Sequence, residues 1–271
     1  MRIYQWLVGG ILCLQSALCG WDNAPWLKNF LEFEGALSQE HRASRKIDTT
    51  HGTVHKRLRA NGTRAALLFT PTPSWEAFSE VSALGTQSHH WNFEAVTLAA
   101  RHQWYNDLVE DPVSVTTGLS FGVVRDAFVR DLSSLHHGTV EAISHVAVGK
   151  ELGITRHGFF RVWGLGYGGV ATRSAPWAGA EVHIDYSCKD THLFSVLFQA
   201  EQGFSQRKLH RDLHFRGWGR IGYSYESLGL SYTYRYYSFG TFFIEVGKRL
   251  HAHFCPKSAS IKAGIIIPWG L

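Results

Sequence analysis

The chain has 271 residues, 45% hydrophobic and 14% aromatic, with a formal net charge of +5. That length suits one large β domain or two small ones. A mean hydropathy of −0.12 argues against a bundle of membrane helices, and a mild basic excess without long charge runs gives no reason to expect a nucleic-acid partner.

The first residues carry the features of a secretory signal. Arg2 is a charged start, Leu7 to Leu14 a short apolar stretch, and Ala17-Leu18-Cys19 places small residues before a cut at Gly20. We expect residues 1–19 to be removed and 20–29 to form a short lead-in on the periplasmic side. Leu18 departs from the small residue wanted before a lipidated Cys19. After cleavage only Cys188 and Cys255 remain, and the sequence leaves open whether they pair.

From residue 30 to the end the chain alternates apolar and polar residues, the period of a strand with two unlike faces. Candidate strands fall at 30–41, 63–70, 74–84, 91–104, 112–124, 139–150, 158–170, 177–188, 192–203, 214–226, 228–237, 241–251 and 259–271. Pro71-Thr72-Pro73 reads as a turn, because proline cannot donate to a ladder. Thirteen strands cannot return both termini to one side. The weakest break is at Ser238-Phe239-Gly240, where Tyr232, Tyr234, Tyr236, Phe242, Ile244 and Val246 keep one parity. Removing it leaves twelve. Loops at 42–62, 125–137 and 204–213 are then long and charged, while 71–74, 189–191 and Glu226-Ser227 are short.

The last strand runs Ile261, Ala263, Ile265, Ile267, Trp269, Leu271 on one face and reaches the final residue. With the signal, the alternation and the loop asymmetry, the chain resembles bacterial outer-membrane β-barrels of about twelve strands. The resemblance covers nearly the whole mature chain but is architectural. It implies an all-β, antiparallel, up-and-down transmembrane barrel over residues 30–271, placed in the outer membrane. The terminal Ile265 to Leu271 segment resembles the signal read by the barrel-assembly machinery, except that such signals usually end in Phe or Trp. Outer-membrane lipids and lipopolysaccharide are the other expected partners, met by the basic stretches Arg42–Arg59 and Arg207–Arg211.

The parity that sends the apolar face to lipid sends the other face to the lumen. Acidic or polar lumen positions are Glu32, Glu34, Glu141, Glu181, His183, Asp185, Ser195, Glu201 and Glu245. Basic ones are Arg216, Arg220, Arg235 and Lys262. A three-residue turn at Lys189-Asp190-Thr191 keeps parity and sets Glu181, His183 and Asp185 opposite Gln199, Leu197 and Ser195. A Ser, a His and an Asp in one patch suggest a serine hydrolase, but they point to the lumen, where no bilayer lipid lies. A hydrogen-bonded network is the plainer reading. The adjacent pairs His89-His90 and His136-His137 lack metal-ligand spacing and read as solvated loop or interface positions. We expect no metal and no cofactor. The wet, mixed-charge lumen favours a narrow passive or weakly selective channel for small solutes or ions. A closed structural or adhesive barrel acting through basic loops comes second, and a lipid hydrolase last.

Overall fold

Twelve strands close into one antiparallel barrel in the computed structural model, which describes residues 23–155, 158–189, 191–210, 215–236 and 239–270. They are β1 (Glu32–Thr49), β2 (Gly52–Thr72), β3 (Trp75–Thr86), β4 (Asn92–Tyr105), β5 (Ser114–Val124), β6 (Val140–Thr155), β7 (Gly158–Ala171), β8 (Trp177–Cys188), β9 (His192–Gly203), β10 (Ser224–Tyr236), β11 (Gly240–His253) and β12 (Pro256–Gly270). Each pairs with its sequence neighbours, and β1 meets β12 from Glu32↔Gly270 to Ile47↔Pro256. Closure leaves no open edge. The proposed signal and Cys19 lie outside the described residues.

The outward face is a continuous apolar belt. Leu37, Leu67, Val81, Leu98, Leu119, Val146, Val162, Val182, Val196, Leu230, Ile244 and Ile267 are all exposed on it. Trp75, Trp104, Tyr105, Tyr236 and Trp269 ring the barrel at the end where β1 begins and β12 ends, hereafter the terminal end. At the opposite, loop end, Trp91 and Phe93 are also exposed. Apolar walls with aromatic rims are what a bilayer requires of a spanning barrel.

Five sequence expectations need correction. Pro71 and Thr72 end β2, so the turn there is Pro73-Ser74, between the paired Thr72 and Trp75. The strand expected over 214–226 does not form as such: residues 215–223 are loop, and Ser224–Glu226 begin β10. Among the described residues of that span, Phe215, Ile221 and Tyr223 are buried in a loop cluster with Trp218 and Phe254, and their near-alternate spacing imitates a strand. Glu226-Ser227 is accordingly no turn but lies within β10, with a register shift beside it. The break near Ser238 is real: Tyr236 pairs with Gly240 across three intervening residues. An odd turn preserves parity, so β10 and β11 look continuous in sequence although they are two strands. The count of twelve survives because the two errors offset each other. Finally, 42–62 is no loop. It is the upper part of the β1–β2 hairpin, whose turn is at Thr49–Gly52. Its alternation fades because that part stands above the apolar belt.

Candidate functional site

The inward face is polar and carries charges on every side. Glu34, Glu181, His183, Asp185, Ser195, Glu201 and Lys262 are buried on it. Glu32, Glu245 and Arg235 share the inward parity of their strands and are half-buried. Arg216 and Arg220 do not line a strand wall. Arg216 is exposed in the loop, and Arg220 ends a short 3-10 turn over Trp218–Arg220. Both were assigned inward on the strength of the strand that does not form.

Both mouths are occupied by the chain itself. At the terminal end residues 24–28 enter the barrel. Arg101 Nη1 donates to the Ala24 carbonyl and Gln103 Nε2 to the Pro25 carbonyl, each at 2.8 Å. Trp26 Nε1 donates to Asp107 Oδ1 at 2.7 Å, and the Arg161 guanidinium lies 4.5 Å from the Trp26 ring centroid. Ion pairs Lys28–Glu34, Arg101–Glu76 and Arg161–Glu151 surround the segment. Room for it comes from Gly149, where any Cβ would stand 2.7 Å from Pro25 Cγ and 2.9 Å from the Trp26 ring.

At the loop end the segment between β5 and β6 folds inward, beginning with one helical turn over Asp126–Val129. His136 sits between two wall carboxylates, with Nε2 3.0 Å from Glu94 and Nδ1 3.6 Å from Glu141. Burial opposes its charge, but hydrogen bonds to Glu141 and Glu94 outweigh that and hold its pKa at about 10, against an ordinary 6.5. His137 stacks flat on Trp177 at 3.7 Å. Its Nε2 contacts Tyr223 OH at 2.6 Å, and that hydroxyl donates to Glu201. Trp218, from the β9–β10 loop, donates Nε1–H to the Ser134 carbonyl and its backbone N–H to the His136 carbonyl. The two loops therefore brace one another and the wall.

Glu201 also accepts from Tyr167 OH at 2.7 Å. Gln199 then bridges Tyr167 to Glu181, and Glu181 meets His183 at 3.3 Å. His183 stacks on Trp163 at 3.6 Å, and Trp163 donates to Asp185. A hydrogen-bonded and stacked strip thus descends β7–β9 from the loop latch toward the terminal end. The register pairs Asp185 with Ser195 and His183 with Leu197. His183 is turned to Glu181 and Trp163, so the Ser–His contact a nucleophile needs is not made.

Between the mouths, under Leu135 and His136, lies a cavity of about 90 Å³ lined among others by Arg42, Arg64, Glu80, Glu141 and Arg249. A neighbouring cavity of about 100 Å³ shares Arg42, Arg64 and Arg249 and adds Glu40, Glu245 and Lys262. Glu40 is held by both Arg42, at 2.8 Å, and Arg64, at 3.2 Å. His136 and His137 were read as solvated loop positions, yet both are built into the wall. The signal available was the acid that follows them, Glu141, at the first inward position of β6. The two cysteines among the described residues stand at opposite ends of the barrel, Cys188 closing β8 and Cys255 between β11 and β12, and both are free thiols.

No family model and no curated protein sequence matches the chain. Solved structures do. An outer-membrane channel from Pseudomonas putida F1 superposes with a TM-score of 0.66 at 10% identity, over 90% of this chain and 97% of that one. The two share the fold of a closed antiparallel β-barrel. The KdgM porin gives a TM-score of 0.50 at 10% identity, over 85% of this chain and 98% of that one. The translocator domain of the autotransporter NalP from Neisseria meningitidis gives 0.50 at 8%, over 88% and 89%. At such identities the likeness is one of fold.

Proposed function

We propose that this barrel sits in the bacterial outer membrane and is a narrow channel for small solutes or ions. Its short turns and termini face the periplasm and its folded loops face outward. The observation that carries this reading is the cavity lined by charged side chains between two plugs made of unlike material, a chain segment at one mouth and latched loops at the other. A barrel needed only as a wall would fill its bore with interlocking side chains, as small closed barrels do. Hydrogen bonds and ion pairs pin both plugs, and each also buries apolar side chains, Trp26 in one cluster with Ile143, Ala147 and Trp163 and Phe128 with Ala60 and Leu84, so opening either mouth costs apolar burial as well as polar contacts. Insertion through the barrel-assembly machinery, using the Ile265 to Leu271 segment, belongs to the same reading.

The runner-up is a closed structural or adhesive barrel, favoured by the occupation of both mouths. Flux separates the two. Liposomes loaded with a small dye and carrying the mature chain should leak slowly, and faster when Trp26 is replaced by alanine. Tight liposomes in both cases, with folded protein present, would favour the structural barrel. The hydrolase reading lacks its Ser–His contact and is not carried further.

A further inference from the structure

A stripe of cations stands on the outer wall directly above the apolar belt, on neighbouring strands β11, β12, β1 and β2. Lys248, Ala259, Ala43 and Arg59 lie side by side in the ladder. One step higher, Lys46 is paired directly opposite Lys257. Lys46, Lys257, Lys248, Arg59 and the bulged Arg45 are all exposed. None of the five has an ion-pair partner among the described residues; the nearby acids Glu226 and Asp48 are engaged by His251 and His253. Like charges directly opposite in a ladder repel. An arrangement of this kind is stable when a counter-charge lies over it.

The height of the stripe says where that counter-charge would come from. Ala259 is ten residues along β12 from Trp269 in the terminal rim. At ~3.3 Å per residue and a tilt of ~40°, that is ~25 Å, the height of the apolar band of such a barrel. The stripe is therefore level with lipid headgroups at the loop end. Just below it the outward face turns polar: Thr63 donates to Gln39, and His41 contacts Asn61 at 2.5 Å. A ligand resting here meets cations above and hydrogen-bonding groups beneath.

We propose that this stripe binds the phosphate groups of an anionic glycolipid of the outer leaflet. Ammonium and guanidinium groups recognise phosphate through charge-assisted hydrogen bonds, and the polar ladder suits sugar hydroxyls. The site is on the outside of the wall, so it does not depend on whether the bore conducts. It does depend on the loop end facing outward.

The test uses the folded mature chain in uncharged detergent, with lipid A as probe and native mass spectrometry as readout. Bisphosphorylated lipid A should bind the native protein and raise its melting temperature. A Lys46→Gln, Arg59→Gln, Lys248→Gln, Lys257→Gln variant should bind at least about tenfold more weakly, while Lys150→Gln, a control at the terminal end, binds as the native chain does. Raising salt should weaken binding in the native protein and not in the quadruple variant. Without lipid, Lys257→Gln alone should melt no lower than the native protein, because it relieves repulsion. Unchanged binding by the quadruple variant would overturn the proposal. So would equal binding of dephosphorylated lipid A, and equal binding of phosphatidylglycerol would show a general anion surface instead of a glycolipid site.

Discussion

Replacing His136 by alanine removes the cation that holds Glu94 and Glu141 together at the loop end. Its rise from 6.5 to about 10 corresponds to an upper limit of about 5 kcal/mol in favour of the charged, latched form. Breaking a buried ion pair by deleting one partner costs about 3–5 kcal/mol on independent grounds. Either figure shifts the latched-to-released ratio of the loop by a factor of about 100 or more. We expect His136→Ala to lower the melting temperature and to make the Asp126–Val129 turn accessible to protease. Adding Glu141→Gln should restore part of the loss, since it removes the uncompensated charge. The same latch should respond to pH. A histidine whose folded pKa is raised stabilises fully below its unfolded value near 6.5 and loses that contribution as pH rises through about 10. Native protein should therefore hold its loop at pH 6 and release it between pH 9 and 11, as His136→Ala does at neutral pH. Unchanged melting and unchanged proteolysis in the variant would refute the latch.

The terminal plug gives a second expectation. A Cβ at Gly149 would meet Trp163 of the paired strand at 2.6 Å as well as Pro25 and Trp26, so Gly149→Val should displace residues 24–28, shift tryptophan emission and raise dye leakage; an unaltered spectrum and unaltered leakage would contradict the packing. Cys255 is buried, and burial pushes its thiol up to about 11, so a maleimide should label half-buried Cys188 first and Cys255 only after unfolding. Equal labelling rates in the folded protein would count against the loop cluster around Phe254. On the lipid face, Val196→Lys should cost about 2–4 kcal/mol in bilayer-folding measurements; a neutral result would mean that this face does not meet hydrocarbon.

How much of this was legible in sequence follows from where the bilayer imposes a pattern. Between the rims each strand must be apolar on one side, so the alternation of β5, β8 and β9 exposes both strand and register. Glu181↔Gln199 and Asp185↔Ser195 follow from a three-residue turn and one parity rule. Above the rim the constraint lapses. The upper β1–β2 hairpin, rich in Arg, Lys and His, reads as loop although, but for one bulge at Arg45, it is paired up to Thr49↔Gly52. The converse error arises at Phe215 to Tyr223, where a loop buries aromatics at strand-like spacing under the barrel mouth. Between Tyr236 and Gly240 the same parity rule is silent, because an odd turn and an unbroken strand give the same alternation. The plugs were illegible for a different reason. Trp26 and His136 are held by partners dozens of residues away, Asp107 and Glu94, and no local pattern announces such pairing.

Conductance tests the central claim most directly. Single-channel recordings in planar bilayers should compare the chain from residue 20 onward with its Trp26→Ala and His136→Ala variants, each first shown to be folded by heat-dependent migration in SDS. Small discrete steps in the native chain, larger or more frequent in both variants, are the predicted result. Silence from all three folded proteins would contradict a channel and leave a closed barrel.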